Sequence, residues 1–231
     1  MRLSIIIPCF NEKNFIREII DRVNKAPVVN KEIILVDDCS TDGTRELIKN
    51  ELHKQVAKVV YSDKNLGKGS ALRKGFAKAS GDIVIVQDAD LEYDPEEYPK
   101  LIKPIIEGKA DVVYGSRFVG SSGHRVLYFW HMVGNKALTL FSNIFTNLNL
   151  TDVETGYKVF RKSILDKVKL EEDGFGFEVE VTAKVAELKC RIYEVGISYN
   201  GRTYEQGKKI GWRDGVKTIV TIIKYALCRQ N

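Results

Sequence analysis

A run of four apolar residues followed by alternate acids constrains the fold of this chain more than any other feature. The run is Ile83-Val84-Ile85-Val86, and Asp88, Asp90 and Glu92 come directly after it. Such a run is typical of a strand buried on both faces of a parallel sheet. Ligands bind at the carboxyl ends of strands in open α/β sheets, and divalent cations prefer carboxylate oxygens. The stretch therefore predicts a site for a metal-bound phosphorylated ligand.

The acids allow comparison with two other structures, a solvated turn and a calcium loop. A solvated turn leading into a helix stays open, because Tyr93-Asp94-Pro95 has turn and helix-start chemistry. A calcium loop of the EF-hand type is excluded, because its sixth and twelfth positions, normally Gly and Glu, are Tyr93 and Pro99 here.

The first half of the chain alternates strand-like apolar runs with helical patterns, which predicts parallel βαβ units with right-handed crossovers. Strands are expected over 3–7 (ended by Pro8), 32–36, 56–61, 83–86 and 110–114. Helices are expected over 14–23, 44–52, 68–79 and 95–107.

The character changes after Gly115. A loop over 116–125 carries Arg117, His124 and Arg125, and the segment 126–150 is rich in large apolar side chains with polar interruptions. This segment is either a core helix or a helix in a membrane interface. A short strand is expected over 157–160, a helix over 177–188 and an extended segment over 191–199. A last helix, which packs on the core or contacts a membrane, carries an apolar stripe of Trp212, Val216, Ile219, Val220, Ile223, Ala226 and Leu227.

Composition limits the functional classes. The 231 residues suit one large domain, and a net charge of +5, from 36 basic and 31 acidic residues, permits anionic substrates or a membrane surface without calling for nucleic acid. The four cysteines form no C-x-x-C pair, so we expect reduced thiols, no zinc and a cytosolic protein. We expect neither a membrane span nor a signal peptide.

Two motifs of the first half suggest nucleotide binding. Asp37 and Asp38 end the second strand, where a carboxylate accepts hydrogen bonds from ribose or base, or caps the next helix. Gly67-Lys68-Gly69 precedes a helix, where an anion can bind. It is neither a P-loop nor a G-x-G-x-x-G motif, and a plain glycine turn stays open.

Two motifs of the second half carry charge. Asp152 is a candidate general base if it faces the sheet edge, and otherwise caps a turn. Arg202, with Lys208 and Lys209, can bind phosphate, or belongs to a solvated loop.

As an ordered set, these motifs resemble the family 2 glycosyltransferases. The matching pieces are residues 5–12 (IIIPCFNE), 36–43 (VDDCSTDG), 65–69 (NLGKG) and 88–90 (DAD). Residues 115–118 (GSRF) and 155–158 (TGYK) resemble the subgroup of dolichol-phosphate mannose and glucose synthases, which act on polyprenyl phosphates.

The resemblance implies a fold and a set of roles. The fold would be α/β, the Rossmann-like nucleotide-diphospho-sugar transferase fold of the A type, with a mostly parallel central sheet flanked by helices. One domain, 1–231, would join a nucleotide-sugar-binding half (1–115) to an acceptor-binding half with amphipathic helices (116–231). Asp88, Asp90 and Glu92 would hold Mg²⁺ or Mn²⁺, and Arg117 and Arg125 would bind the acceptor phosphate. The donor would contact Pro8, Phe10, Asn11, Glu12, Asp37, Asp38, Gly67, Lys68, Asp88, Ala89, Arg202 and Lys208.

The implied reaction is inverting transfer of a hexose from UDP-glucose or GDP-mannose to a polyprenyl or dolichyl phosphate, with Asp90, Arg117 and Asp152 as catalytic residues. If the acceptor is a hydroxyl of a cell-surface glycan, Asp152 becomes the base. A non-catalytic binding module, a phosphoacceptor signalling domain and a sugar-1-phosphate nucleotidyltransferase are the rival classes. Many members continue into transmembrane helices, whereas this sequence stops at Asn231. We expect a cytoplasmic chain, with attachment to the cytoplasmic membrane face and homo-oligomers both left open.

Overall fold

A seven-stranded sheet organises the chain, in the order β3-β2-β1-β4-β6-β5-β7. The computed structural model describes residues 1–120, 125–126, 128–202 and 212–228, of which 212–214 and 228 are described by backbone alone. The strands are β1 (Leu3–Cys9), β2 (Lys31–Asp37), β3 (Lys58–Tyr61), β4 (Ile83–Val86), β5 (Val112–Ser116), β6 (Lys158–Arg161) and β7 (Ile192–Gly196). The helices are α1 (Ile16–Lys25), α2 (Thr44–Leu47), α3 (Lys68–Phe76), α4 (Tyr98–Ile106), α5 (Phe129–Thr146), α6 (Lys162–Leu165), α7 (Phe177–Glu187) and α8 (Trp212–Cys228).

The central strands are buried on both faces, as their continuous apolar runs predict. Successive side chains of a strand point to opposite faces, so Ile5 packs in one core with α1 and α4, and Ile6 in a second core with α3 and α7. The expected mostly parallel α/β sheet is confirmed.

One strand runs against the others, and the βαβ pattern does not predict its place. β6 lies between β4 and β5 and is antiparallel to both, so these two consecutive strands are not neighbours. Because β6 runs the opposite way, its first residue lies at the edge where β1, β2, β4 and β5 end. The turn that precedes β6, with Asp152, Glu154 and Gly156, is thereby brought to the edge that carries Asp88.

The expectation that Pro8 ends the first strand is wrong, since β1 continues to Cys9. Ile6 accepts a hydrogen bond from Gln87 on the β4 side, and Pro8, two residues on, faces the same side. The ladder between β1 and β4 stops at Ile6, so the missing N–H of Pro8 breaks no strand pairing.

The helix expected over 44–52 is irregular. Its α-helical part is Thr44–Leu47, followed by a π turn, Ile48–Leu52, and a 3₁₀ turn, His53–Gln55. Ile48 and Leu52, at the two ends of the π turn, are both buried. Another 3₁₀ turn, Pro95–Glu97, precedes α4, and the other boundaries differ from expectation by a few residues at element ends.

Two helices of the second half pack with their small polar residues inward. α5 and α8 contact each other and α7. Their buried side chains include Thr139, Ser142 and Thr146 on α5, and Thr218, Thr221, Ile222 and Tyr225 on α8. Their exposed side chains form what we call the outer apolar face, namely Phe129, Trp130, Val133, Leu140, Ile144, Val216, Ile219, Val220, Ile223 and Leu227.

These helices therefore pack on the core with one face, as the core-helix interpretation expects, and the outer apolar face is not part of that core. Trp130 is 78% exposed and Ile144 65%, and the stripe of α8 includes Leu227 at 62%. Within the described ranges, no helix combines the length and the apolar character that crossing a bilayer requires.

Candidate active site

The candidate site lies at the edge where the parallel strands end, and the backbone there is strained. Asn11, Cys39 and Leu91 follow β1, β2 and β4, and each has a positive φ, of 54°, 65° and 63°. Such conformations are uncommon for residues other than glycine, and they cluster at functional sites. Asn11 also ties two of these loops together, because its Oδ1 accepts a hydrogen bond from Thr41 N at 2.8 Å.

The two acids after β2 have different surroundings. Asp37 is fully buried and pairs with Arg45, whose Nε lies 2.5 Å from Oδ2. Asp38 Oδ2 accepts hydrogen bonds from the backbone N–H groups of Leu66 at 3.0 Å and Gly67 at 2.7 Å. Asp38 Oδ1 is buried without a partner among the described residues. Asp37 therefore has a structural partner, and a donor contact of Asp38 through Oδ1 stays a prediction.

Gly67 and Gly69, on either side of Lys68, leave no space for a side chain because the backbone of residues 172–173 packs against them. A Cβ at Gly67 would lie 2.7 Å from Asp173 O, and one at Gly69 would lie 2.2 Å from Glu172 O. Asp173 O also accepts a hydrogen bond from Ser70 N at the start of α3. The close approach at this helix start is thus made by the loop before α7, and donor contacts of Gly67 remain a prediction.

Lys68 is directed at the acids after β4. Its Nζ lies 2.8 Å from Asp88 Oδ1 and 3.0 Å from Glu178 Oε1, and 15% of the side chain is exposed. Burial alone would lower the pKa of Lys68, but the charges of Asp88 and Glu178 raise this pKa well above its usual value. Lys68 is therefore a fixed ammonium that neutralises Asp88.

Arg202 contacts Asp90 as Lys68 contacts Asp88, through an ion pair. Its guanidinium lies 3.1 Å from Asp90 Oδ2 and 3.4 Å from Glu12 Oε2, and 5.4 Å from the centre of the Phe15 ring. Glu92 anchors this segment, because it accepts hydrogen bonds from Arg202 N at 2.7 Å and from Tyr199 Oη at 2.9 Å.

Asp90 has the most perturbed carboxyl of the three acids. Burial, followed by the charges of Asp88 and Glu92, raises the pKa of Asp90 to about 7. The negative charges of Asp88 and Glu92 thus repel that of Asp90, although Lys68 and Arg202 contact these acids. An added divalent cation would relieve that repulsion.

The residues fit a divalent cation on these grounds. Among the described residues, no three of the metal-ligating types converge as a ready cage. Mg²⁺ usually takes one or two protein carboxylates and completes its sphere with water and substrate phosphates. Asp88 and Asp90 can supply those carboxylates. Glu92 has both oxygens engaged by protein donors, so its metal role stays a prediction.

Arg117 and Asp152 form a bidentate ion pair. Arg117 Nε and Nη2 each lie 2.7 Å from an oxygen of Asp152, which is fully buried, and Arg117 N donates to the same carboxylate at 3.1 Å. The guanidinium also lies 5.1 Å from the Tyr199 ring centre. A proton on Asp152 would break this pair, so a base role is unfavourable for it.

Several predicted residues lie near this framework. Arg125 N donates to Tyr199 O and its Nη1 to Gly201 O, which fastens the segment that carries Arg202. A cleft of about 450 Å³ lies beside it, between residues 91–94 and 198–200. Pro8 is in β1, Phe10 follows it and Ala89 is buried. His124, Lys208 and Lys209 lie outside the described residues.

The sequence interpretation missed Glu178, gave Tyr93 no role in the site, and named Gly156 in the motif 155–158 without foreseeing its contact with Asp88. Glu178 is the second partner of Lys68, Tyr93 Oη accepts a hydrogen bond from Gly156 N at 2.8 Å, and Gly156 lies against Asp88. Tyr93 was interpreted only as part of a turn. A paired Glu early in a helix carries no sequence signal that separates it from ordinary helix-start chemistry.

Comparisons with known proteins agree with this geometry. The model of the family "Glycosyl transferase family 2" matches residues 4–169. The chain is 33% identical to a dolichol-phosphate mannosyltransferase of Pyrococcus furiosus, covering 91% of this chain and 61% of that protein. It is 30% identical to an undecaprenyl-phosphate mannosyltransferase of Micrococcus luteus, covering 100% of this chain and 96% of that protein.

A solved structure is similar over nearly the whole chain. Glucosyl-3-phosphoglycerate synthase from Mycobacterium tuberculosis, in complex with Mn²⁺, UDP and glucosyl-3-phosphoglycerate, superposes with a TM-score of 0.74. The sequence identity is 21%, and the match covers 99% of this chain and 79% of that one. The likeness confirms the expected A-type nucleotide-diphospho-sugar transferase fold.

Proposed function

The chain belongs to glycosyl transferase family 2, and from that premise we propose that it moves a hexose from a nucleotide diphosphate sugar to a polyprenyl phosphate, with inversion at the sugar C1. The donor is GDP-mannose or UDP-glucose, and the reaction requires Mg²⁺ or Mn²⁺. The chain spans 61% of the length of the Pyrococcus furiosus relative and 96% of the Micrococcus luteus one, both named for lipid-phosphate mannosyl transfer.

One observation carries the proposal: the acids after β4 are paired with basic side chains of the chain itself. Asp88 pairs with Lys68, and Asp90 with Arg202. The carboxylates of this site therefore accept positively charged partners. Arg202, one of these partners, can exchange Asp90 for the diphosphate of a donor. Asp38 Oδ1, buried without a partner among the described residues, would accept a hydrogen bond from the ribose or base of the donor.

The chemistry needs little proton transfer. The bond between C1 and the diphosphate oxygen breaks, and the acceptor phosphate oxygen forms the new bond from the opposite face of the sugar. A divalent cation would neutralise the charge that grows on the leaving diphosphate. Arg202 is placed to leave Asp90 and bind the same diphosphate. A phosphate acceptor is already an anion, so it needs no general base to remove a proton. The reaction can therefore proceed while Asp152 is paired with Arg117.

The acceptor is proposed from two features of the second half. Arg125 lines the cleft beside residues 198–200, the Arg117 guanidinium lies 5.1 Å from the Tyr199 ring centre, and the outer apolar face of α5 and α8 offers a surface that a bilayer would cover. Positions of this kind suit a substrate whose phosphate enters the cleft while its polyprenyl tail stays in lipid. We therefore place the chain on the cytoplasmic face of a membrane, where nucleotide sugars are available.

A transfer assay tests the proposal. Radiolabelled GDP-mannose or UDP-glucose is incubated with the protein, undecaprenyl or dolichyl phosphate, and Mn²⁺ or Mg²⁺, and the label is extracted into organic solvent. One donor should label the lipid, and EDTA or Asp90→Ala should abolish transfer while the thermal unfolding transition survives. Label on a hydroxyl acceptor, or full transfer in EDTA, would contradict the acceptor or the metal respectively.

A further inference from the structure

Glu178 is a buried acid whose burial is explained neither by the start of its helix nor by packing in the apolar core. It lies in the first turn of α7, is 4% exposed, and contacts the ammonium of Lys68 through Oε1. Its second oxygen, Oε2, is buried without a partner among the described residues. A buried carboxylate oxygen normally accepts a hydrogen bond. Glu178 Oε2 can therefore accept one more hydrogen bond from a donor close to it, such as the Lys68 ammonium.

The Lys68 ammonium can leave Asp88 only if another anion stays within contact distance. Its ammonium lies between Asp88 and Glu178, and a mostly buried ammonium that loses its only counter-charge is strongly unfavourable. A cation that binds Asp88 must displace that ammonium from at least one carboxylate oxygen, because Lys68 Nζ contacts both, at 2.8 Å from Oδ1 and 3.1 Å from Oδ2. The lysine then needs a second anion within reach, and Glu178 is that anion.

We propose that Glu178 is a positioning residue that receives the Lys68 ammonium when a divalent cation takes Asp88. The inference rests on the metal dependence proposed above. In the ligand-free state the ammonium is shared by the two acids. In the loaded state it pairs with Glu178 through both oxygens, and Asp88 is released without leaving an unpaired lysine in the interior. Glu178 thereby affects the affinity of Asp88 for metal without touching metal or substrate.

The test is Mn²⁺ binding in the absence of donor, measured on the full chain by the electron paramagnetic resonance signal of free Mn²⁺. Glu178→Gln should weaken Mn²⁺ binding about tenfold, because Lys68 then has Asp88 as its only strong partner. Lys68→Met should strengthen binding, since Asp88 no longer carries an internal cation. Adding Glu178→Gln to Lys68→Met should cause no further change, because the residue acts through the lysine.

A matched control lies on the same helix. Glu180 is fully buried and pairs with Lys184 at 2.7 Å, away from the acids after β4. Glu180→Gln should leave Mn²⁺ binding unchanged whatever it does to thermal stability. If Glu178→Gln does not fold, Glu178→Asp replaces it, which keeps the charge, shortens the reach and should weaken Mn²⁺ binding in the same direction.

The possible results separate this inference from the function beneath it. A wild-type protein that does not bind Mn²⁺ overturns the metal-dependent function and the role of Glu178 together. Mn²⁺ binding that is equal in wild type and Glu178→Gln overturns the role of Glu178 alone. An equal loss in the wild-type and Lys68→Met backgrounds also overturns it, because the carboxylate would then act through space and not through the lysine.

Discussion

Gly156 approaches the carboxylate of Asp88 so closely that a Cβ at position 156 would lie 2.2 Å from Asp88 Oδ2. The same Cβ would lie 2.9 Å from the ring of Tyr93, whose hydroxyl accepts a hydrogen bond from Gly156 N. The turn before β6 therefore supports the acid that follows β4, and only glycine leaves space for it.

Gly156→Ala should move the Asp88 carboxylate while leaving the fold intact. We expect overpacking to lower the free energy of unfolding by about 1–3 kcal/mol. A misplacement of about 1 Å at a reacting centre costs on the order of 100-fold in rate, so kcat should fall by about that factor. Transfer assays and thermal unfolding measure the two effects.

Gly134→Ala is the control for this variant. A Cβ at Gly134, in α5, has no heavy atom within 4 Å. Alanine favours the helix by up to about 1 kcal/mol, so stability should rise slightly and the rate should not change. Full activity in Gly156→Ala would show that Asp88 does not need its observed position.

Arg202 is expected to compete with the metal and to assist the donor. Because its guanidinium occupies the Asp90 carboxylate, Arg202→Gln should bind Mn²⁺ about tenfold more tightly than wild type when no donor is present. The same variant should bind the nucleotide sugar more weakly, since a diphosphate contact is lost. Isothermal titrations with Mn²⁺ and with donor give the two affinities.

A surface arginine serves as the control. Arg17 forms an exposed ion pair with Glu51, and Arg17→Gln changes the net charge of the protein by the same amount. Neither affinity should change in that variant. If Arg202→Gln weakens Mn²⁺ and donor binding alike, the arginine supports the loaded site and does not compete with the metal.

Glu154 should make stability depend on pH. Burial, followed by the charge of Glu178, raises the pKa of Glu154 to about 7. A carboxyl with a raised pKa binds its proton more tightly in the folded state, so its contribution to the free energy of unfolding falls as pH rises from about 4 to about 7. Wild type should lose on the order of 3 kcal/mol relative to Glu154→Gln across that window.

Denaturant unfolding at several pH values measures this difference. Glu51→Gln, which removes a half-exposed carboxylate, should give a curve nearly parallel to that of wild type. A constant difference between wild type and Glu154→Gln from pH 4 to pH 8 would mean that the pKa of Glu154 is the same in the folded and unfolded states.

The sequence predicted the strand ends well and the partners of their side chains poorly. Buried apolar runs that stop at Asp38 and Asp88 have a short-range signature, and parallel strands bring their ends to one edge. The contact of Asp88 with Gly156 depends on where β6 enters the sheet, and no local pattern carries that information. Glu178 was missed because an acid in the first turn of a helix is ordinary helix-start chemistry.

The last helix shows another limit. Of the apolar stripe expected on α8, Val216, Ile219, Val220, Ile223 and Leu227 are exposed, whereas Ile222 and Tyr225 are buried. Periodicity reveals that a helix has two different faces and does not reveal which one is covered. Tyr225 is held inward by a hydrogen bond of 2.8 Å to Glu180, a residue on another helix.

The outer apolar face should bind membranes. A variant with Trp130→Gln and Ile144→Gln removes two of its most exposed apolar side chains, and vesicle flotation should show weaker binding than for wild type. Binding of the basic wild-type chain to anionic vesicles should also fall at high salt. Val29→Gln, at a fully exposed valine far from this face in the chain, should bind like wild type. Wild-type protein that stays at the bottom of the gradient at low salt would contradict the membrane role.

Arg117 should decide acceptor binding, but its pairing with Asp152 complicates the obvious variant. Arg117→Ala would leave a buried carboxylate without its partner, which costs about 3–5 kcal/mol. Arg117→Lys keeps the charge and loses the bidentate geometry. We expect the acceptor KM to rise by the equivalent of about 1.5–3 kcal/mol, and the donor Kd to stay within a factor of about two.

Asp152→Asn distinguishes positioning from base catalysis at the same pair. If Asp152 holds Arg117 for an acceptor phosphate, the variant should raise the acceptor KM and leave the shape of the pH–rate profile unchanged. If Asp152 is the base for a hydroxyl acceptor, kcat should collapse and the acidic limb of the profile should disappear. A donor Kd that rises in Arg117→Lys while the acceptor KM stays constant would assign Arg117 to the donor site, and the argument for a phosphate acceptor would then lose its main support.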